Sequence, residues 1–199
     1  RPRRNEEFRF YVGLVVGASV LMGLLRVADP DLTTGGIEET ARLATFQVVS
    51  LLTTTGFATV DFNAWSPAAK HLLFSCMFLG GMAGSTTCSI KLLRWLIILK
   101  SFRRDLFTTI HPEAVRPVRL SGAAINEETI RDVFSYTMLS LMIFFLGTIV
   151  VVVDGARIGL GLSEFEALSA AAGTFCNIGP AFGIAGPFNS YSPFSELTK

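Results

Sequence analysis

The residues best suited to chemistry lie in two glycine-centred turns. One reads Thr53-Thr54-Thr55-Gly56-Phe57-Ala58-Thr59. The other reads Cys176-Asn177-Ile178-Gly179-Pro180-Ala181-Phe182-Gly183. Gly56 and Gly179 stand 123 residues apart. Each turn follows a segment patterned as a short helix, which aims the negative end of its dipole at the turn. Carbonyls beyond the last helical turn are oxygen ligands, and glycine lets the backbone turn them toward an axis. Thr53, Thr54 and Thr55 add hydroxyl oxygens. Together these groups suit a dehydrated cation. Neither turn contains a carboxylate, whereas a Ca²⁺ site recruits Asp or Glu. The implied chemistry is a pathway for a monovalent cation. Re-entrant hairpins also serve transporters of anions and amino acids, and the turns alone leave that alternative open.

Other chemistry finds little support. His71 and His111 are isolated. Cys76, Cys88 and Cys176 have no metal-ligand spacing and are odd in number. No zinc-protease helix, phosphate loop, dinucleotide fingerprint or Ser-His-Asp order is present, which argues against an enzyme. Lys and Arg number 17 against 16 Asp and Glu, so the basic excess of a nucleic-acid binder is missing. Half the residues are hydrophobic and only 17% are charged, a balance that also argues against disorder.

The elements that position the turns belong in a membrane. Residues 10–25, 72–90 and 133–153 are free of Asp, Glu, Lys and Arg, and a bilayer core needs ~20 apolar residues as helix. A fourth uncharged run, 167–195, is too rich in glycine and proline for one helix. Such irregular backbone is tolerated at membrane depth only where protein or a watery cavity receives it. A short helix entering the membrane and a loop leaving it fit that run. The predicted helices are 8–28, 38–52, 67–106 with an interruption, 127–153 and 163–176. The fold class is an all-α membrane protein built from helix, re-entrant loop and helix.

That order of parts occurs twice. The Trp65-Ser66-Pro67 and Tyr191-Ser192-Pro193 triplets each place an N-cap residue before a proline at the first helical position. Each should open a further helix, with its aromatic ring at the membrane interface. Ser163 with Glu166 fits a capping box, and Asn126 before Glu127 and Glu128 suits a helix start. Seven basic residues between Lys91 and Arg119 face two acids, and Arg1, Arg3, Arg4 and Arg9 face Glu6 and Glu7. Residues 29–61 carry five acids and one base. The positive-inside rule puts the N-terminus and the central linker, 108–126, in the cytoplasm; the alternative for the basic linker is a phosphate or lipid contact without topological meaning.

Residues 80–89 interrupt an otherwise long helix with three glycines, Ser85, Thr86, Thr87 and Ser89. A glycine-mediated packing contact or a kink would explain them.

Three segments in the right order resemble the Trk/Ktr/HKT potassium transporter family. Residues 53–59 followed by Asp61 and Trp65 resemble its third filter segment. Gly80-Gly81-Met82-Ala83-Gly84-Ser85-Thr86 with Lys91 and Arg94 resembles the middle of the following helix in the Trk branch. Asn177-Ile178-Gly179-Pro180-Ala181-Phe182-Gly183 resembles the fourth filter segment. The resemblance implies four pseudo-fourfold repeats around one pore, with 1–107 as the third and 127–199 as the fourth, cut before its last helix. It implies a K⁺ filter of Thr54, Thr55, Gly56, Phe57, Asn177, Ile178, Gly179 and Pro180. The carbonyls of Thr55, Gly56, Ile178 and Gly179 would hold the ion. It implies a gate loop of Gly80, Gly81, Gly84, Ser85, Thr86 and Lys91, although Cys88 and Ser89 stand where small glycine-type residues are expected. It further implies multi-pass insertion in the cell membrane, no cofactor beyond the transported K⁺, and a homodimer. A cytoplasmic nucleotide-binding (RCK/TrkA-like) regulatory subunit is the implied partner, with the basic face from Arg103 to Arg119 as one candidate contact. A secondary transporter coupling Na⁺ or H⁺ to a solute, and a non-conducting scaffold, are the alternatives from other classes.

Overall fold

The computed structural model describes residues 5–29, 36–87, 89–196 and 198. Arg1, Arg3, Arg4, Asp31 and Cys88, which entered the charge and hinge expectations, lie outside them. Six α-helices follow in order among the described residues: α1 (Glu6–Val27), α2 (Gly36–Leu52), α3 (Pro67–Met77), α4 (Leu92–Ile110), α5 (Glu127–Arg157) and α6 (Glu164–Phe175). The Asn5 side chain accepts from the Glu7 N–H, so α1 opens two residues before the predicted start. Asn126 caps α5 in the same way, and Ser163 and Glu166 form a complete capping box on α6. α2 rises about 25 Å over its 17 residues, short of the ~30 Å hydrocarbon thickness.

α1 and α5 are long and apolar enough to cross a membrane. Their faces are inverted relative to a soluble helix. On α5, Thr137, Ser140 and Thr148 are buried, while Met138, Leu139, Met142, Phe145, Leu146 and Val153 are exposed. The Thr137 and Thr148 hydroxyls donate to the carbonyls of Val133 and Phe144, four residues back. Polar groups satisfied within their own helix can pack inward, and the apolar side chains are left to face lipid. α2 packs against α1 and α3, α5 against α4 and α6, and α3 joins α6 across the two halves. One core runs through both halves: Met22 of α1, Val48 and Leu51 of α2, Leu73 and Met77 of α3, Ala172 of α6, and Phe182.

Three expectations change. The run 72–90 is not one helix. α3 stops at Met77 and α4 begins at Leu92, so the interruption is wider than 80–89. The Gly80 N–H donates to the Ile90 carbonyl and the Leu92 N–H to the Gly81 carbonyl, which ties the loop's two ends together in place of helical bonds. α4 then continues to Ile110, four residues past the predicted end. Second, Ser66 makes no side-chain cap bond; the proline at the first position starts α3. Third, Trp65 is not an interfacial ring. It is 3% exposed in the core, with the Arg26 guanidinium 4.6 Å from its ring centre. Tyr191-Ser192-Pro193 lies in turns, and no helix follows it among the described residues.

The linker holds a hairpin the sequence reading missed. Strands β1 (Arg119–Leu120) and β2 (Ala123–Ala124) pair antiparallel. Ser121 and Gly122 both have positive φ, 50° and 93°, the signature of a type I′ turn. The Ser-Gly dipeptide was the available signal. Val118 anchors the hairpin among Ile97, Ile130 and Val133 in the seam between α4 and α5.

Leu73 is fully buried where α3 meets the core. Leu73→Ala should cost about 2–5 kcal/mol, read as a lowered Tm of the purified protein in detergent. An unchanged Tm would contradict the burial of Leu73 in the core.

Candidate functional site

The two glycine-centred turns are the same structure, bond for bond. After α2, the N–H groups of Thr53, Thr54 and Thr55 donate to the carbonyls of Val49, Leu51 and Ser50. After α6, the N–H groups of Cys176, Asn177 and Ile178 donate to those of Ala172, Thr174 and Gly173. Gly56 and Gly179 add a second donor to the Ser50 and Gly173 carbonyls. Every donor and acceptor is displaced by 123. Each turn is a Schellman-type helix end, with the left-handed position held by Thr54 (φ 51°) and Asn177 (φ 52°) instead of glycine. These bonds satisfy carbonyls inside the last helical turn and end the helix. The glycine two residues later is again left-handed, at φ 74° for Gly56 and 101° for Gly179.

The turns also meet each other. A Cβ built on Gly56 would collide with the Ile178 carbonyl oxygen and stand 3.0 Å from Pro180 Cδ. No side chain fits between the first turn's glycine and the second turn's main chain. A Cβ on Gly179 would have nothing within 4 Å. Thr55, Phe57, Asn177 and Gly179 are exposed, Thr54, Gly56 and Pro180 half-buried, and Ile178 buried. A cavity of about 680 Å³ runs along α2 from Arg42 to Phe57 and opens beside Thr53 and Thr55.

Side chains outside the predicted set hold the turns. The Ser50 hydroxyl donates to the Phe57 carbonyl at 2.6 Å, and Thr53 and Thr55 share a hydroxyl bond at 2.8 Å. The Tyr191 hydroxyl donates to the Gly179 carbonyl at 2.8 Å. That oxygen is one of the four expected ion ligands, and a carbonyl has a second lone pair. Across the halves, the Gly183 N–H donates to Asn63 Oδ1 at 2.8 Å, and the Phe62 and Phe182 rings meet edge-on at 5.1 Å. Nothing in the local sequence marked Ser50 or Asn63. Tyr191 was visible only as the aromatic of its triplet.

The interrupted segment between α3 and α4 packs against the second turn. The Ser89 hydroxyl donates to the Met77 carbonyl at the end of α3 and hydrogen-bonds the Cys176 thiol. Lys91 Nζ donates to the Ala83 and Ser85 carbonyls at 3.1 and 3.2 Å. The carboxylate of Glu7, buried at the start of α1, accepts from the Ala83 N–H at 2.6 Å. Gly81 is buried, with its N–H donating to Thr87 Oγ1, whereas Gly84 and Thr86 are exposed. The Lys91 ammonium thus gathers carbonyls of the loop in which the sequence placed it. The sequence reading missed Glu7, which lies 76 residues from its partner.

A family model described as TrkH, cation transport protein, matches residues 32–198. The chain belongs to the TrkH family. It is similar to the Trk system potassium uptake protein TrkH of Salmonella typhimurium, 31% identical over 198 residues, covering 97% of this chain and 38% of that protein. The TrkH of Halomonas elongata is 33% identical over 190 residues, covering 96% and 36%. The crystal structure of the potassium transporter TrkH from Vibrio parahaemolyticus matches with a TM-score of 0.79 at 29% identity, over 91% of this chain and 37% of that one. The chain therefore spans less than two-fifths of the length of these relatives. TrkH is a family of membrane transporters and not of enzymes, in keeping with the all-α fold. Among the described residues, no group of three His, Cys, Asp or Glu side chains could hold a metal ion.

Of the predicted TrkH filter residues, Gly56, Ile178 and Pro180 are brought into contact. Thr54 and Asn177 occupy equivalent left-handed positions, and a side chain on Gly179 would meet nothing within 4 Å. The two glycines should not be equally replaceable. Gly56→Ala adds a collision with main chain to a left-handed strain of about 1–3 kcal/mol, whereas Gly179→Ala adds strain alone. Melting of the two variants should put Gly56→Ala clearly lower; equal Tm values would contradict the close approach.

Proposed function

We propose that this chain forms two adjacent walls of a K⁺ uptake pore in the cell membrane, as the third and fourth of four pseudo-fourfold repeats. The observation that carries the reading is the meeting of two identical helix-end turns, Gly56 against the Ile178 carbonyl. A repeated turn that packs on its own copy, with oxygens and no carboxylates, is suited to stripping water from a monovalent ion. Thr54, Thr55, Gly56 and Phe57 form one filter segment and Asn177, Ile178, Gly179 and Pro180 the next. The carbonyls of Thr55, Gly56, Ile178 and Gly179 coordinate K⁺. The open space beside Gly179 and the cavity along α2 are the faces on which further repeats would seat. Membership of a cation-transport family and similarity to potassium uptake proteins support K⁺ as the transported ion.

Each part then has a physical role. The negative ends of the α2 and α6 dipoles favour a cation beyond them. Hydrogen bonds from Ser50 and Tyr191 hold the main chain in place, so that oxygens need not reorganise as the ion arrives. The loop with Gly80, Gly81, Gly84, Ser85, Thr86 and Lys91 is the gate. Its contact with Cys176 sets it against the filter helix, and its ties to Glu7 and Lys91 hold one conformation. The N-terminus and the linker face the cytoplasm. The full protein works as a homodimer with a cytoplasmic nucleotide-binding (RCK/TrkA-like) regulatory subunit, a reading supported by relatives named as parts of a Trk system.

Gly56→Ser in the full-length protein tests the filter. The hydroxymethyl group crowds the oxygen ring, and the K⁺ over Na⁺ flux ratio in proteoliposomes should fall at least tenfold, about 1.4 kcal/mol of selectivity. An unchanged ratio at normal expression would remove Gly56 from the filter. Deleting residues 80–89 should raise K⁺ flux; lowered flux with normal expression would contradict a gate.

A further inference from the structure

The linker hairpin folds back on α4 and makes a cationic pocket that transport through the turns does not use. Lys100, Arg103 and Arg104 of α4 face Arg119 of the hairpin and Arg116 of the segment leading into it across a cavity of about 370 Å³, with Pro117 and Val118 completing its wall. Val118 is buried in the seam between α4 and α5, so the hairpin side of the pocket is anchored. Two of the five cations are spoken for. Lys100 pairs with Glu6 and also donates to the Arg119 carbonyl at 2.7 Å. Arg104 pairs with Asp105 and Glu127. Arg103, Arg116 and Arg119 make no ion pair among the described residues, and all three are exposed. No carboxylate lines the cavity. Arg116 is braced by the Phe107 ring, 5.0 Å from its guanidinium.

The position of the pocket selects the anion. α1 and α5, the two helices long and apolar enough to cross a membrane, both begin beside it: Glu6 of α1 pairs with Lys100, and Glu127 of α5 pairs with Arg104. It therefore sits level with one end of both spans, at headgroup depth. Along α4, Leu99, Phe102, Leu106 and Ile110 are exposed at spacings of three and four residues, which gives an apolar stripe next to the cations. A helix with cations beside an exposed apolar stripe lies at a lipid interface, and basic pockets at that depth bind phosphate headgroups. A guanidinium matches phosphate oxygens with paired N–H donors.

We propose that this pocket binds the phosphate headgroup of an anionic phospholipid, with Arg103, Arg116 and Arg119 as its ligands and the α4 stripe along the acyl chains. The site is independent of the filter reading, and lipid retention and ion selectivity fail separately.

The test uses the full-length protein in nanodiscs of equal parts phosphatidylglycerol and phosphatidylcholine with matched acyl chains. Lipid that stays bound after release into mild detergent is counted by native mass spectrometry. Phosphatidylglycerol should be retained over phosphatidylcholine. Arg103→Gln, Arg116→Gln and Arg119→Gln together should cut that preference by roughly a hundredfold. Arg116→Gln alone should give a partial loss, which keeps the test open if the triple variant unfolds. An unchanged preference in either folded variant overturns the site. Displacement of the bound lipid by millimolar inorganic phosphate overturns the lipid assignment in favour of a soluble anion. Loss of a regulatory subunit from the triple variant, with lipid retention intact, overturns it in favour of a protein contact.

Discussion

The closest constraint in the structure is between Gly56 and the carbonyl oxygen of Ile178. A single added carbon would collide there, so two stretches of main chain 122 residues apart must run against each other without a side chain between them. Much else follows from that approach. α2 and α6 must end at the same depth, their last turns must leave in the same direction, and the core from Met22 to Phe182 must hold both helices at fixed separation. Asn63 and Phe62, reaching across to Gly183 and Phe182, keep the outer parts of the two turns in register.

The helix ends accept strain to meet this demand. Thr54 is β-branched and sits at a positive φ, a conformation few such residues adopt. Asn177 holds the same place more comfortably. Both are fixed by bonds from the following N–H groups into the last helical turn, and on the first turn by the hydroxyl pair of Thr53 and Thr55. Local satisfaction of the helix-end carbonyls ends each helix there, and the chain turns again at the left-handed Gly56 and Gly179. The cation-coordinating role proposed above would give that strain a use.

Solvent chemistry explains the rest of the architecture. In lipid, α5 loses nothing by exposing Phe145 and Leu146, and it can bury Thr137 and Thr148 because their hydroxyls are satisfied four residues back. The segment between α3 and α4 is irregular, and irregular backbone in such a setting needs partners. Ile90, Gly81, Glu7, Lys91 and Ser89 provide or receive them. Glu7 is notable here, because a buried carboxylate at the start of a membrane helix is stabilised by the same loop N–H that it holds in place.

The sequence by itself determined the helices, their order and the repeat. Uncharged runs, caps at Asn126 and Ser163, and glycine-rich breaks are local signals, and local hydrogen bonding answers to them. It also marked Gly56 and Gly179, because few other residues allow the backbone to turn there. Tertiary structure decided the partners. That Gly56 meets Ile178 while Gly179 faces open space, that Trp65 is buried under Arg26, and that Glu7 reaches Ala83 all depend on how α1, α2 and α6 pack. The basic pocket is the same case: the linker's charges were legible as a run, but only the hairpin, anchored by Val118, brings Arg116 and Arg119 back over α4. Packing joins residues far apart in the chain, and no periodicity or cap in a single segment records which distant surface will cover it.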